Sequence, residues 1–147
     1  MQKNFWKNKT LDQLSREEWE ALCDRCARCC LEKLEDDDTG EVFYTRVACK
    51  ILDLDSCRCR HYSRRHEYVP ECLPVDLKNL RMFAWLPATC AYRLLFEGRE
   101  LPAWHHLVCG SRQEVHKQGI SVRQLALPQE EGMDLEDYII ADSELLP

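Results

Sequence analysis

The sequence predicts a small, single-domain α+β protein, mostly short helices with one or two short β-strands, organised around a cysteine cluster. Three observations lead there. Four thiols fall within eight residues, Cys23-Asp24-Arg25-Cys26-Ala27-Arg28-Cys29-Cys30, written C-x2-C-x2-C-C. Helix-start and helix-stop signals recur at close spacing, so no helix has room to grow long. Two stretches, residues 41–51 and 120–127, have the composition of strands.

The cysteine motif dominates the chemistry. A free cysteine is usually a small buried hydrophobe, which explains one or two of these four. Thiolates this close repel as anions and oxidise as neighbours unless a soft cation binds them, and zinc or iron is the usual one. The chain of 147 residues suits one domain with one core. Its 45% apolar content includes ten cysteines, so the hydrocarbon core is thinner than that figure, and a bound metal would add folding energy.

Lys3, Lys7 and Lys9 are not followed by the apolar run of a secretory signal, and no window approaches the ~18 apolar residues of a membrane span. The expected location is therefore cytoplasmic, where thiols stay reduced and bind metals more often than they form disulfides. The net charge is −6, and its distribution is uneven. Residues 129–147 hold seven acids (Glu130, Glu131, Asp134, Glu136, Asp137, Asp142, Glu144) and no Lys or Arg. This divides the chain into a cysteine-cluster domain, 1–128, and an acidic C-terminal tail, 129–147, packing on it or trailing from it.

Taken in order, residues 1–14 form a polar arm pinned by Phe5, Trp6, Leu11 and Leu14. Ser15 and Glu18 make a capping-box pattern that opens a helix. Trp19, Leu22, Cys23, Cys26 and Cys30 then share a helical stripe, with Cys29 off its edge. On a straight helix Cys23 and Cys30 would stand ~10.5 Å apart along the axis, whereas sulfurs on one zinc lie under ~4 Å from each other. Either the helix ends inside the motif or these cysteines serve different metals.

An acidic turn at 35–40 leads into the strand 41–51, in which Phe43, Thr45, Val47, Cys49 and Ile51 share a face. A second thiol group follows the pattern Cys49-x7-Cys57-x-Cys59-x12-Cys72 and matches the first in number. Between its members lie Arg58, Arg60, His61, Arg64, Arg65 and His66, either a solvated face or guanidinium groups set against thiolates.

Asp76 caps a helix over 77–86 that Pro87 stops, and Thr89 caps another over 90–97 with Gly98 at its C′ position. Leu77, Leu80, Phe83, Trp85, Tyr92, Leu94 and Leu95 are expected core. Cys90 opens its helix, where the dipole favours a thiolate. Ser111 and Glu114 form a second capping box before a short helix carrying His116 and ending at Gly119.

Together with Cys23-x2-Cys26-x2-Cys29-Cys30, the segments Asp38-Thr-Gly-Glu-Val-Phe-Tyr-Thr45, Ala48-Cys49, Cys57-Arg-Cys59, Trp85-Leu-Pro-Ala-Thr-Cys-Ala-Tyr-Arg-Leu-Leu95, Leu101-Pro-Ala-Trp-His105 and Gly119-Ile-Ser-Val-Arg123 resemble the YcgN/YkgJ-type bacterial cysteine-cluster proteins. These are described as zinc- or iron-chelating. The likeness runs from about residue 4 to residue 127. It implies a bacterial cytosolic protein of a family mostly without an assigned reaction. A flagellin lysine methylase is similar over its own cysteine-cluster region. Carried onto this chain, the ligand set is Cys23, Cys26, Cys29, Cys30, Cys49, Cys57, Cys59 and Cys72, with Cys90 a further candidate. His105 and His116 also match family positions. The family commonly has glycine where this chain has Arg25 and Ala27, which makes a helix through the motif more expected here than a tight loop. Cys109 and His106 fall outside the family pattern.

For the metal, C-x2-C-x2-C with a distant fourth cysteine is the spacing of an iron-sulfur cubane, while pairs of C-x2-C knuckles suit zinc. Iron or an iron-sulfur cluster is slightly preferred, with zinc the alternative. Three functions remain open. One is a metal-binding protein. Another is an iron-sulfur redox or group-transfer enzyme with His105, His116 or Arg65 beside an open coordination position. The last is a zinc-organised nucleic-acid or protein interaction module using Arg58 to Arg65, to which the acidic whole runs counter for nucleic acid. There is no Gly-rich phosphate loop, nucleophile elbow or H-E-x-x-H helix.

Overall fold

The computed structural model describes residues 3–140 apart from 73, 80–82 and 84. Its centre is a two-stranded antiparallel sheet, β1 (Leu31–Glu35) and β2 (Val42–Ala48). Leu31 pairs with Ala48 and Glu35 with Val42, with a bulge between Leu31 and Lys33. The connecting turn closes on itself. Asp36 Oδ1 accepts from the N–H groups of Asp38 (2.8 Å) and Thr39 (3.0 Å), and Gly40, at φ +74°, takes the left-handed position glycine tolerates. A second pair, β3 (Leu52–Asp53) and β4 (Arg58–Cys59), sets Leu52 opposite Cys59.

β2 is the strand that holds the body together. β1 lies along one edge, and two later segments bond to it. Leu127 makes a parallel bridge to Val47, and Ile139 an antiparallel one to Thr45. Thr45 and Val47 are fully buried, and Thr45 Oγ1 donates to the Glu32 carbonyl at 2.7 Å. The expected strand at 120–127 is thus a single bridge preceded by a 3-10 turn, Val122–Gln124, because Ser121 caps that turn through the Arg123 N–H. β1 was not expected. Its residues Leu-Glu-Lys-Leu-Glu are good helix formers, and pairing with β2 overrides that preference.

The helices whose bounds lie within the described residues are α1 (Phe5–Asn8), α2 (Arg16–Ala21), α3 (Arg65–Tyr68), α4 (Ala91–Phe96), α5 (His106–Cys109) and α6 (Glu114–Lys117). The capping box of α2 forms as expected. The Glu18 N–H donates to Ser15 Oγ at 3.1 Å and the Ser15 N–H to Glu18 Oε1 at 2.9 Å. Lys9 pairs with the same carboxylate at 2.9 Å, and these bonds hold the Glu18 carboxyl below the usual carboxylate range. Gly98 ends α4 at φ +74°.

Other expectations are corrected. The second box does not form, since α6 has Gln113 at its N-cap and Ser111 accepts from the Gln113 N–H instead. Cys90, not Thr89, is the N-cap of α4, and the Thr89 hydroxyl is buried without a partner among the described residues. Trp85 is 38% exposed rather than core. Of the helix expected over 77–86, a 3-10 turn (Leu77–Asn79) capped by Asp76 is seen; Leu80 lies outside the described residues, as do Asp142 and Glu144.

Three small apolar clusters form the interior. One joins Phe5, Leu22, Phe83, Leu86, Ala91 and Tyr92, with Trp6, Leu11, Leu14 and Trp19 at its margin, so the arm is pinned as expected. A second joins Ala27, Leu31, Ala48, Leu52, Cys57, Val122 and Ile140. The third is Cys26, Trp104, Val115 and Ile120. The segment from Leu22 to Leu31 contributes to all three. It cannot do so as a helix, whose buried face is a single stripe.

α2 accordingly stops at Ala21, and the chain turns through left-handed conformations at Arg25 and Ala27, both at φ +63°. The helix expected through the motif is replaced by a tight loop. A left-handed non-glycine residue carries a strain of about 1–2 kcal/mol, partly offset on substitution by glycine's greater unfolded freedom. Arg25→Gly is therefore expected to raise the urea-unfolding free energy of the metal-free protein, by up to about 1 kcal/mol. A destabilised variant would mean that the Arg25 side chain contributes more than its backbone costs.

Candidate metal centre

The loop after α2 is held from both sides. His105 is fully buried and spends both ring nitrogens on backbone, Nε2 on the Leu22 carbonyl (2.8 Å) and Nδ1 as acceptor for the Leu107 N–H (3.1 Å). That pairing fixes the tautomer with its proton on Nε2, and burial holds the ring below the ordinary imidazole range. The buried Arg28 donates Nε to the Ile120 carbonyl at 2.7 Å, and the Val122 N–H reaches the Cys26 carbonyl at 2.9 Å. Asp24 Oδ1 accepts the Cys26 N–H at 3.0 Å inside the loop. Next to it, Arg112 Nη1 donates to the Cys23 carbonyl at 3.3 Å.

Cys29 is the hub of the thiols. Its charge acts on Cys23, Cys26, Cys30, Cys72 and Cys90. The adjacent Cys30 thiol, with the Lys33 ammonium nearby, brings Cys29 down to about 7 against an ordinary 9.0. Lys33 donates Nζ to the carbonyls of Cys29 (2.7 Å) and Leu31 (2.8 Å) and lies 5.0 Å from the centre of the Tyr44 ring. Cys30 is pushed well above the ordinary thiol by Cys29 and by burial.

The second thiol group meets the first here. The Cys49 N–H donates to the Cys30 carbonyl at 2.8 Å, Cys49 acts on the thiols of Cys30 and Cys72, and Cys59 acts on Cys49. Burial pushes Cys26, Cys49, Cys72 and Cys90 up. At Cys90 that outweighs the helix N–H groups expected to favour a thiolate.

Two cysteines stand apart. Cys57 is 4% exposed in the second apolar cluster, at φ +57°, with its S–H on the Leu54 carbonyl at 3.9 Å. The groups acting on it are Ser121, Arg123 and Asp53 rather than other cysteines. Cys109 is exposed and donates to the Trp104 and Ser111 carbonyls.

Of the basic run, Arg65 lies beside Cys72 and counters its upward shift, while also donating to the Tyr62 carbonyl and stacking on that ring at 4.5 Å. Arg64 is paired with Glu67 at the surface. Arg58 adds its charge to those of Arg25 and Arg112. His116 holds Ser121 Oγ through Nδ1 at 2.7 Å.

The ten cysteines are free thiols. In kind they suit zinc or iron, being soft sulfur donors in excess of four. In position, apart from Cys57 and Cys109, they neighbour one another without closing on a point. Among the described residues no three Cys, His, Asp or Glu side chains stand where one ion could be held.

Sequence inspection did not single out Asp24, Lys33 or Arg112. An acid inside the C-x2-C spacing and a lysine three residues past the motif were the available signals; Arg112 is distant in sequence and had none.

Short helices, two minimal sheets and a crowded thiol loop together define a small α+β cysteine-cluster protein. The family described as "Putative zinc- or iron-chelating domain" matches residues 22–91. The chain belongs to the UPF0260 family of bacterial proteins. It is 54% identical to the UPF0260 protein of Pseudomonas putida F1 over 138 residues, which are 92% of this chain and 93% of that one. Identity is 55% with the Pseudomonas aeruginosa PAO1 protein at the same coverage, and 52% over 136 residues with that of Pectobacterium atrosepticum, at 92% of each chain. No solved structure matches the chain. Among the described residues no helix is long and apolar enough to cross a membrane.

The thiolate is the nucleophile, so reactivity should follow the lowered Cys29. In reduced, metal-free protein, the rate of Cys29 alkylation by iodoacetamide is expected to rise with pH to half-maximum near 7. Cys30→Ala removes the neighbouring thiol that lowers Cys29 and should move that midpoint upward. Peptide mapping across a pH series checks both; an unmoved midpoint would show that Cys30 does not lower Cys29.

Proposed function

We propose that this is a cytoplasmic metal-binding protein whose cysteine cluster holds iron, as ion or iron-sulfur cluster, or else zinc. The ligands are drawn from Cys23, Cys26, Cys29, Cys30, Cys49, Cys59, Cys72 and Cys90, while Cys57 packs the core. The observation that supports this reading is the bond from the Cys49 N–H to the Cys30 carbonyl at 2.8 Å, which sets the second thiol group against the first. Thiolates so arranged gain from a cation that a neutral core would not need. The match to a family described as zinc- or iron-chelating points the same way. Iron keeps its slight preference from the C-x2-C-x2-C spacing.

The redox or group-transfer reading draws less support. His105 has neither nitrogen to spare, and the Nδ1 of His116 is engaged by Ser121. The Arg58 to Arg65 run is partly committed to Glu67, Tyr62 and Cys72, which leaves less of it for nucleic acid.

Anaerobic purification with metal and acid-labile sulfide analysis tests the proposal. At least about one equivalent of iron or zinc per chain is expected, with a lower melting temperature after chelation. Cys26→Ser combined with Cys29→Ser should abolish uptake while Cys109→Ser leaves it unchanged. Protein that arrives without metal and takes up neither ion would overturn the assignment.

A further inference from the structure

Asp24 sits where a carboxylate is costly. It is 7% exposed, and its Oδ2 has no hydrogen-bond partner among the described residues. Its Oδ1 is occupied by the Cys26 N–H at 3.0 Å. A buried carboxylate oxygen left unpaired is unfavourable unless a cation meets it. The nearby guanidinium, Arg112, spends Nη1 on the Cys23 carbonyl and feels the Asp24 charge without bonding to Oδ2. Asp24 follows Cys23 directly and accepts the Cys26 N–H, so its unpaired oxygen belongs to the turn that carries both thiols. A divalent cation held in that turn would offset the cost of the buried oxygen.

We propose that Asp24 is a further ligand of the metal centre, supplying Oδ2 as an oxygen donor among the cysteine sulfurs. The inference rests on the metal-binding reading above and adds to it a mixed sulfur and oxygen donor set. Carboxylate oxygen is a normal ligand for zinc and iron. Standing between Cys23 and Cys26, it shares a turn with two candidate thiolates, and side-chain rotation would have to bring its oxygen and their sulfurs onto one ion.

Asp24→Asn is the discriminating variant, because the amide oxygen keeps the acceptor for the Cys26 N–H while the anionic oxygen is lost. The full-length protein is reduced, stripped of metal and titrated anaerobically with Co2+. Affinity is read by chelator competition and coordination by the visible cobalt spectrum and X-ray absorption. For the wild type the proposal expects uptake with oxygen as well as sulfur in the first shell. For Asp24→Asn it expects Co2+ affinity about tenfold or more weaker, a cobalt spectrum shifted toward pure sulfur coordination, and an unchanged far-ultraviolet circular dichroism spectrum.

Equal affinity and an unchanged spectrum in Asp24→Asn would overturn the ligand assignment and leave metal binding standing. A wild type that takes up no Co2+ would overturn both. If Asp24→Asn does not fold, the wild-type absorption data decide: a shell of sulfur alone overturns the proposal, and oxygen in the shell together with recovery of binding in Asp24→Glu upholds it.

Discussion

Everything in this protein depends on a helix that stops early. Had α2 continued through the motif, its cysteines would be strung along a rod and its apolar side chains would face one way. Ending at Ala21 frees the next residues to reach three separate apolar clusters, with Leu22, Cys26 and Ala27 each entering a different one. The left-handed turns at Arg25 and Ala27 are the cost of that branching. Buried anchors hold the loop open, His105 at Leu22 and Arg28 at Ile120. A chain with so thin a hydrocarbon interior thereby makes one ten-residue segment serve as common wall to all its parts.

The electrostatics follow from the same loop. It packs thiols against one another and adds a carboxylate. Lys33, anchored on carbonyls, is the positive group acting on Cys29, and Arg112 and Arg65 answer Cys23 and Cys72 at the margins. Without a metal the balance is struck by keeping protons, which is why burial lifts most of these thiols and Cys29 alone falls. A cation would displace those protons, so metal uptake and proton release are two sides of one equilibrium.

What could be read from the chain beforehand divides along physical lines. Ser15 and Glu18 announced their helix because a capping box is local, four residues bonding to each other. The turn at Asp36 and Gly40 was legible for the same reason. β1 was hidden because Leu31 to Glu35 prefer helix in isolation and become a strand only by pairing with residues that follow a turn. Arg25 and Ala27 misled in the opposite direction: neither favours a left-handed backbone, and the conformation is imposed by burial on both sides. Cys57 could not be told from its neighbours, since whether a sulfur faces a cluster or a core depends on a two-residue strand and a positive φ that spacing does not encode. Asp24 reads in the sequence as an ordinary acid, and only its burial in the folded turn sets it apart.

The segment beyond residue 128 looks like an appendage by charge, yet it returns to β2. The Ile140 N–H donates to the Tyr44 carbonyl at 2.8 Å, and the Ile140 side chain, 3% exposed, fills the second cluster. A fragment cut after Pro128 would strip cover from that margin of the sheet and leave a hydrophobic notch. Uncovered strand margins recruit other chains. Thiols on such fragments would then meet between molecules as readily as within one, and ion content measured on them would describe an aggregate.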